Sequence, residues 1–300
     1  MISVLIVYGL FVAWHFPWDT DPVLKESNSS VAQTFYDQAF DSEPAEESAA
    51  ETQYERTARL AAEAAGVKGL VTDFVRRNGL ESQKVLEVGA GKGTLQDIVP
   101  DYTGLDLSAS ARKHFHKPFV RASATNMPFR DSAFDGIWSI WVLEHIPNPE
   151  HALLEMRRVV KDGGYLFLMP SWNCSWWAAE GYAVRPYADF GFWGKLIKAG
   201  IPLVSSRWYQ LSFRFPVIMA RGLSPHEGPT QLRFRRIKPN YDKYWQPDSD
   251  AVISLDPSEA TWWFTSRGDE CLNCDRGSVN SPHRPLILRV HKSNAKVNPT

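Results

Sequence analysis

Lys84-Val-Leu-Glu-Val-Gly-Ala-Gly-Lys-Gly93 is the stretch that decides the fold. Lys84 to Val88 is short, apolar and β-prone, so it reads as a strand. Gly89, Gly91 and Gly93 follow at alternate positions. Glycine has no Cβ, so the chain can turn sharply there and bring its backbone close to a ligand. In open α/β sheets, ligands sit in the crevice beyond the carboxyl ends of the strands. The nicotinamide fingerprint GxGxxG is not met, because Thr94 stands where its last glycine belongs. The spacing from Glu87 is instead ExGxGxG.

Outward from this loop the chain alternates. Upstream, Tyr54 to Arg77 carries apolar residues at helical spacing and stops near Asn78-Gly79. Downstream, Thr94 to Val99 reads as a helix start and Tyr102-Thr-Gly-Leu-Asp106 as a second strand. Further strands are predicted near Pro118–Arg121, at Phe134–Ser139 and at Tyr165–Met169, with a helix over Pro149–Val160 before the last. After Pro170 the alternation stops. It resumes with a helix near Pro257–Arg267 and strands at Glu270–Leu272 and Pro285–Val290. Strands alternating with helices imply a mostly parallel sheet covered on both faces. Asp106 ends the second strand 19 residues after Glu87, where a carboxylate can accept hydrogen bonds from ribose hydroxyls.

The stretch 84–169 resembles the class I S-adenosylmethionine-dependent methyltransferases, in the branch with a DAxxLPF, FD and VLEH signature. Here it reads Ser123-Ala-Thr-Asn-Met-Pro-Phe129, then Asp131, Phe134-Asp135 and Val142-Leu-Glu-His145, followed by the Asp162-Gly-Gly164 turn. The resemblance implies an α/β, Rossmann-like, seven-stranded, mostly parallel sheet and S-adenosyl-L-methionine as cofactor. It implies that Gly89, Ala90, Gly91 and Gly93 line the cofactor's methionine and ribose, and that Glu87 holds the loop or meets the cofactor's amino group. Asp106 would bind the ribose and Leu107 pack on the adenine. Ser123 and Ala124 would lie at the adenine amino group, and Ser139, Ile140 and Trp141 near the transferring methyl. The family has an acidic residue where this chain has Ser123, whose hydroxyl accepts a hydrogen bond without charge assistance.

His145 is the leading candidate for a general base, at the carboxyl end of strand four, against the alternative that it only packs the following turn. Glu144 and His226 are weaker candidates. No cluster of residues demands a metal. Two other readings stay open: a non-catalytic scaffold that binds the same cofactor, and a nicotinamide-dependent oxidoreductase, which the glycine spacing disfavours.

The chain divides into an apolar N-terminal segment and acidic linker (1–52), a cofactor-binding core (53–170), an inserted lid (171–250), and a final helix with the last strands (251–300). Residues 1–83 carry 6 basic and 13 acidic side chains, whereas 171–250 carry 11 and 6, with 16 of the 38 aromatic residues. That basic, aromatic insertion is the expected acceptor region, for a small molecule or a glycan. A net charge of −1 gives no nucleic-acid footprint. Residues 2–18 are almost wholly apolar, just short of a membrane span. They read as a membrane contact, a packed element or a cleaved signal. Together with the insertion they suggest a cytoplasmic protein held at a membrane surface, with a lipid-linked acceptor. Three cysteines, Cys174, Cys271 and Cys274, fit a reducing compartment, and Cys271-Leu-Asn-Cys274 reads as two thiols at a strand end.

Overall fold

A computed structural model describes residues 2–15, 27–41, 52–223, 228–241, 248–274 and 284–292. His226 and residues 16–18 lie outside them. The core is a seven-stranded sheet built from β1 (Val85–Val88), β2 (Tyr102–Asp106), β3 (Phe119–Arg121), β4 (Phe134–Ile140), β5 (Val160–Met169), β8 (Glu270–Cys271) and β9 (Leu286–Arg289). Its order is β3-β2-β1-β4-β5-β9-β8. The first five strands are parallel, and β9 runs antiparallel to both neighbours. This is the mostly parallel α/β sheet expected from the sequence. The order reverses direction between β1 and β4, the switch point where such sheets bind ligands.

Both faces are covered, and every residue of β1 and β2 is buried, Glu87, Thr103 and Asp106 included. On one face Leu86, Ile137, Leu166 and Leu288 pack against α5 (Pro149–Val159) and α8 (Pro257–Thr265). On the other, Val85, Trp138 and Phe167 meet Val71, Phe74 and Val75 of α4 (Val67–Arg77). Arg157 of α5 ties the late strands in place. It pairs with the fully buried side chain of Asp269 at 2.8 Å and donates to the His291 carbonyl at 2.8 Å.

The single helix expected over 54–77 is two, α3 (Gln53–Ala64) and α4, broken where Gly66 takes a left-handed φ of +64°. No helix follows the glycine loop: residues 94–99 form turns. The chain must reach β2 by Asp101, and the loop uses the first part of that short crossover. The Gln96 side chain instead holds the His114 carbonyl (3.2 Å) and the His116 N–H (3.1 Å). A second correction concerns Cys271 and Cys274, which form a disulfide rather than two thiols. The turn after β8 is pinned by the Asn273 side chain, which donates to the Pro285 carbonyl and accepts from the Ile287 N–H. That turn brings the two Cα atoms to 5.6 Å, within disulfide range.

The segments outside the sheet surround its carboxyl edge. α2 (Ser27–Ala39) lies against the short helical turn Ser110–His114 that follows β2. In the insertion, α6 (Phe192–Val204) and α7 (Arg207–Leu223) precede a small hairpin of β6 (Arg235–Arg236) and β7 (Ile253–Ser254). α1 (Ile2–His15) rests on α7, with the Phe11 ring edge-on to Tyr209 and Phe213 at 5.1 and 5.9 Å. No helix among the described residues is long and apolar enough to cross a membrane.

Candidate active site

The glycine loop turns immediately after β1. Gly89, Gly91 and Gly93 have φ of +73°, +48° and +68°, values that L side chains rarely adopt. At Gly89 there is also no room: a Cβ would lie 2.0 Å from a Val142 methyl. Asp106, at the end of β2, holds the loop. Its two oxygens accept from the Gly91 and Ser108 N–H groups, each at 2.8 Å. A carboxylate retains two further lone pairs in that arrangement. Burial pushes its pKa up, opposed by these backbone hydrogen bonds. Glu87 lies within the sheet below, accepting from the Tyr102 hydroxyl. Burial raises its pKa to about 8, so the carboxyl keeps its proton at neutral pH.

The other predicted positions lie along the same edge. Leu107 follows β2 and Ser123 and Ala124 follow β3. The Ser123 hydroxyl pairs with that of Thr125 at 2.8 Å. Ser139, Ile140 and Trp141 end β4. The Ser139 hydroxyl is buried without a partner, a free group where the cofactor's reacting end is expected. Trp141 has a φ of +53°, a strained conformation for a bulky residue and one that concentrates at functional sites. A loop that only glycine can form, a buried carboxylate with spare lone pairs and an orphaned hydroxyl together fit an adenosine-bearing cofactor.

His145 follows Trp141 by one helical turn, Leu143–His145. Its Nδ1 lies 3.3 Å from the Asp250 carbonyl and 3.5 Å from the Asp250 carboxylate. The Tyr36 hydroxyl of α2 donates to that carboxylate at 2.9 Å, and its ring meets His145 edge-on. On the other side, Nε2 is 3.9 Å from Glu144. Burial lowers the His145 pKa, but the charges of Asp250 and Glu144 outweigh it and leave the pKa raised. Glu144 accepts from the Ser171 N–H at 3.0 Å, and burial raises its pKa to about 7. His145 is thus held at Nδ1 by the Asp250 carbonyl with the Asp250 carboxylate beside it, while Nε2 faces Glu144.

Three participants escaped the sequence: Tyr36, Asp37 and Asp250. Asp37 accepts from the Ser108 hydroxyl and the Ala109 N–H, both at 2.7 Å, clasping α2 to the end of β2. Phe40 lies 3.4 Å from where a Cβ on Gly91 would stand. Lys92, within the loop, pairs at 2.9 Å with Glu55 of α3, which also closes that helix's capping box with Thr52. A capping box, Thr52-x-x-Glu55, was the one local signal available for this group.

Among known proteins, a model of the methyltransferase domain matches residues 86–168. The demethylmenaquinone methyltransferase of Renibacterium salmoninarum is 36% identical over 107 residues, covering 32% of this chain and 44% of that protein. Phthiotriol/phenolphthiotriol dimycocerosates methyltransferase 1 of Mycobacterium ulcerans is 33% identical over 117 residues, covering 34% and 43%. The solved structure of the YcgJ protein from Bacillus subtilis is 23% identical, with a TM-score of 0.32 over 35% of this chain and 50% of that one. The chain therefore spans less than half the length of the two curated relatives. Residues 86–168, the part that matches the methyltransferase-domain model, carry the glycine loop, Asp106 and the β4 turn.

Proposed function

We propose that the protein transfers a methyl group from S-adenosylmethionine to an oxygen or nitrogen of a small-molecule or glycan acceptor, using His145 as the base. The observation that carries this is the convergence, on one sheet edge, of the left-handed glycine loop, buried Asp106 and the Asp250-held His145. When bound, the cofactor supplies a methyl group on a positively charged sulfur, already activated for in-line displacement. Gly89, Gly91 and Gly93 let the backbone approach it, and Asp106 fixes its ribose. Trp141 and α2 restrict water at the reacting end. His145 Nε2 would take the proton that the acceptor's oxygen or nitrogen loses on methylation. Asp250 orients the imidazole and stabilises the cation it becomes.

Asp106→Ala is expected to weaken S-adenosylhomocysteine by about 2 kcal/mol, because it removes the ribose contact and releases the Gly91 N–H. Calorimetry measures this. Equal affinity in the variant removes Asp106 from the cofactor site, and no binding to the wild type removes the cofactor.

We further infer that α1, α6 and α7 lie on a lipid surface from the cytosolic side, presenting the site to a lipid-linked acceptor. The exposures of Ile2, Trp193 and Trp208 are 75%, 74% and 83%. α6 carries Lys195 and Lys198 and no acidic residue. Apolar and aromatic residues beside basic ones suit an anionic bilayer interface. The full chain is expected to sediment with anionic vesicles, and a shortened chain beginning at Asp19 to do so less. If both stay in the supernatant, the surface reading fails.

A further inference from the structure

Beneath the α1–α7 contact lies a cavity that neither the glycine loop nor His145 uses. Its walls come from α7, the first turn of α8, the loop after β5 and the β6–β7 hairpin. Trp177, Tyr209, Phe213 and Trp262 give it an aromatic lining. Arg214 reaches into it and is only 6% exposed. Its Nε donates to Asp256 at 2.7 Å, while its Nη2 is buried with no partner. The hydroxyl of Ser258, in the first turn of α8, is likewise buried and unpartnered. A second guanidinium, Arg235, lines the same space and makes no hydrogen bond or ion pair among the described residues. The acids nearby are already committed: Asp256 to Arg214 and the Ser258 N–H, and Glu259 to Arg221. With Arg214 and Arg221 paired to those two carboxylates, the Arg235 guanidinium has neither of them as a partner.

A buried guanidinium with a free N–H loses its hydration for nothing unless an acceptor arrives. Two arginines and a hydroxyl match the oxygens of a phosphate. The aromatic walls match something apolar attached to it. Tyr209 and Phe213 line the cavity and also touch Phe11 of α1. The cavity therefore abuts the surface assigned above to the membrane. It also adjoins the base: Ser171, which holds Glu144, accepts from the Cys174 thiol of the cavity wall. Val252, one residue before β7, donates to the Glu144 carbonyl.

We propose that this cavity holds the phosphate head of the lipid that carries the acceptor, with Arg214, Arg235 and Ser258 as its ligands. The assignment rests on the methyltransferase and membrane readings above, and binding measurements separate it from both. Calorimetry on the full chain uses dihexanoyl phosphatidic acid, inorganic phosphate and the uncharged dihexanoyl glycerol. S-Adenosylhomocysteine is titrated in parallel. The phosphatidic acid is expected to bind, the uncharged lipid not to, and inorganic phosphate to bind far more weakly. Arg235→Gln leaves no internal partner stranded, and is expected to weaken phosphatidic acid about tenfold or more, as loss of a charge-assisted hydrogen bond does. Ser258→Ala is expected to weaken it by less, and both variants to bind S-adenosylhomocysteine as the wild type does. Inorganic phosphate binding as tightly as the lipid overturns the lipid assignment in favour of a soluble phosphate. Absence of phosphatidic acid binding, or equal affinity in Arg235→Gln and Ser258→Ala, overturns the site. Failure of S-adenosylhomocysteine alone sinks the methyltransferase reading and leaves the head-group result standing as a measured binding site.

Discussion

Replacing His145 with alanine is expected to slow methyl transfer by about 10²–10⁴-fold, the usual worth of a positioned general base. Cofactor affinity is expected to persist, since the glycine loop and Asp106 do not depend on the imidazole. The pH profile gives the sharper test. A base must be neutral to act, so the rate should rise as pH climbs through the His145 pKa. Asp250 and Glu144 hold that pKa above its ordinary value. Asp250→Asn keeps the shape of the side chain and removes one of those charges. Its acid limb is therefore expected to move to lower pH, with a slower plateau, because the imidazolium formed in the reaction loses its counter-charge. A limb that stays in place shows that Asp250 does not act through His145. A His145→Ala variant at the wild-type rate removes the base altogether.

Gly89→Val is expected to abolish measurable S-adenosylhomocysteine binding. Two penalties combine there. A φ of +73° costs a non-glycine residue about 1–3 kcal/mol. The new Cβ would also stand 2.0 Å from a Val142 methyl, so either the loop or the β4 turn must move. These contributions can be separated. Gly89→Ala combined with Val142→Ala removes the contacts at 2.0 and 2.8 Å, leaving the Cβ of residue 142 at 3.0 Å and the backbone strain, so the double variant should bind better than Gly89→Ala alone. If the pair is no better, strain rather than contact with Val142 governs the loop. If Gly89→Val binds normally, the loop does not cradle the ligand.

The sheet could be read from the sequence because its signals are local. Lys84 to Gly93 declares a strand and a turn within one stretch, and the later strands are short β-prone runs bounded by turns. Asp106 was legible for the same reason, as a strand-end carboxylate at a fixed distance from the loop. The partners of His145 had no such signal. Tyr36 and Asp250 meet across 214 residues, and their hydrogen bond depends on how α2 docks, which no periodicity encodes. α2 itself lies in a polar, acidic stretch that resembles a linker, since it binds through a few aromatic rings and Asp37 rather than an apolar stripe. The helix start expected at Thr94–Val99 does not form, because the short crossover and the Gln96 side-chain bonds leave it no place. The disulfide was missed because two residues of turn geometry decide whether a CxxC pair can close.

The clasp of α2 also sets a clock. Phe40 lies over the glycine loop, Asp37 binds the turn after β2, and Lys113 reaches back to Asp41 at 3.1 Å. We infer that a cofactor seated on that loop leaves only when these contacts open. Exchange of spent cofactor for fresh would then wait for α2 to lift, breaking the Asp37 and Asp41 contacts and the packing of Phe35, Tyr36 and Phe40 on Tyr54. Such openings run on the microsecond to millisecond scale and often limit turnover in place of chemistry. Pre-steady-state methyl transfer would then show a burst equal to the enzyme present, followed by a slower steady rate. Asp37→Ala, by loosening the clasp, would raise the steady rate and shrink the burst.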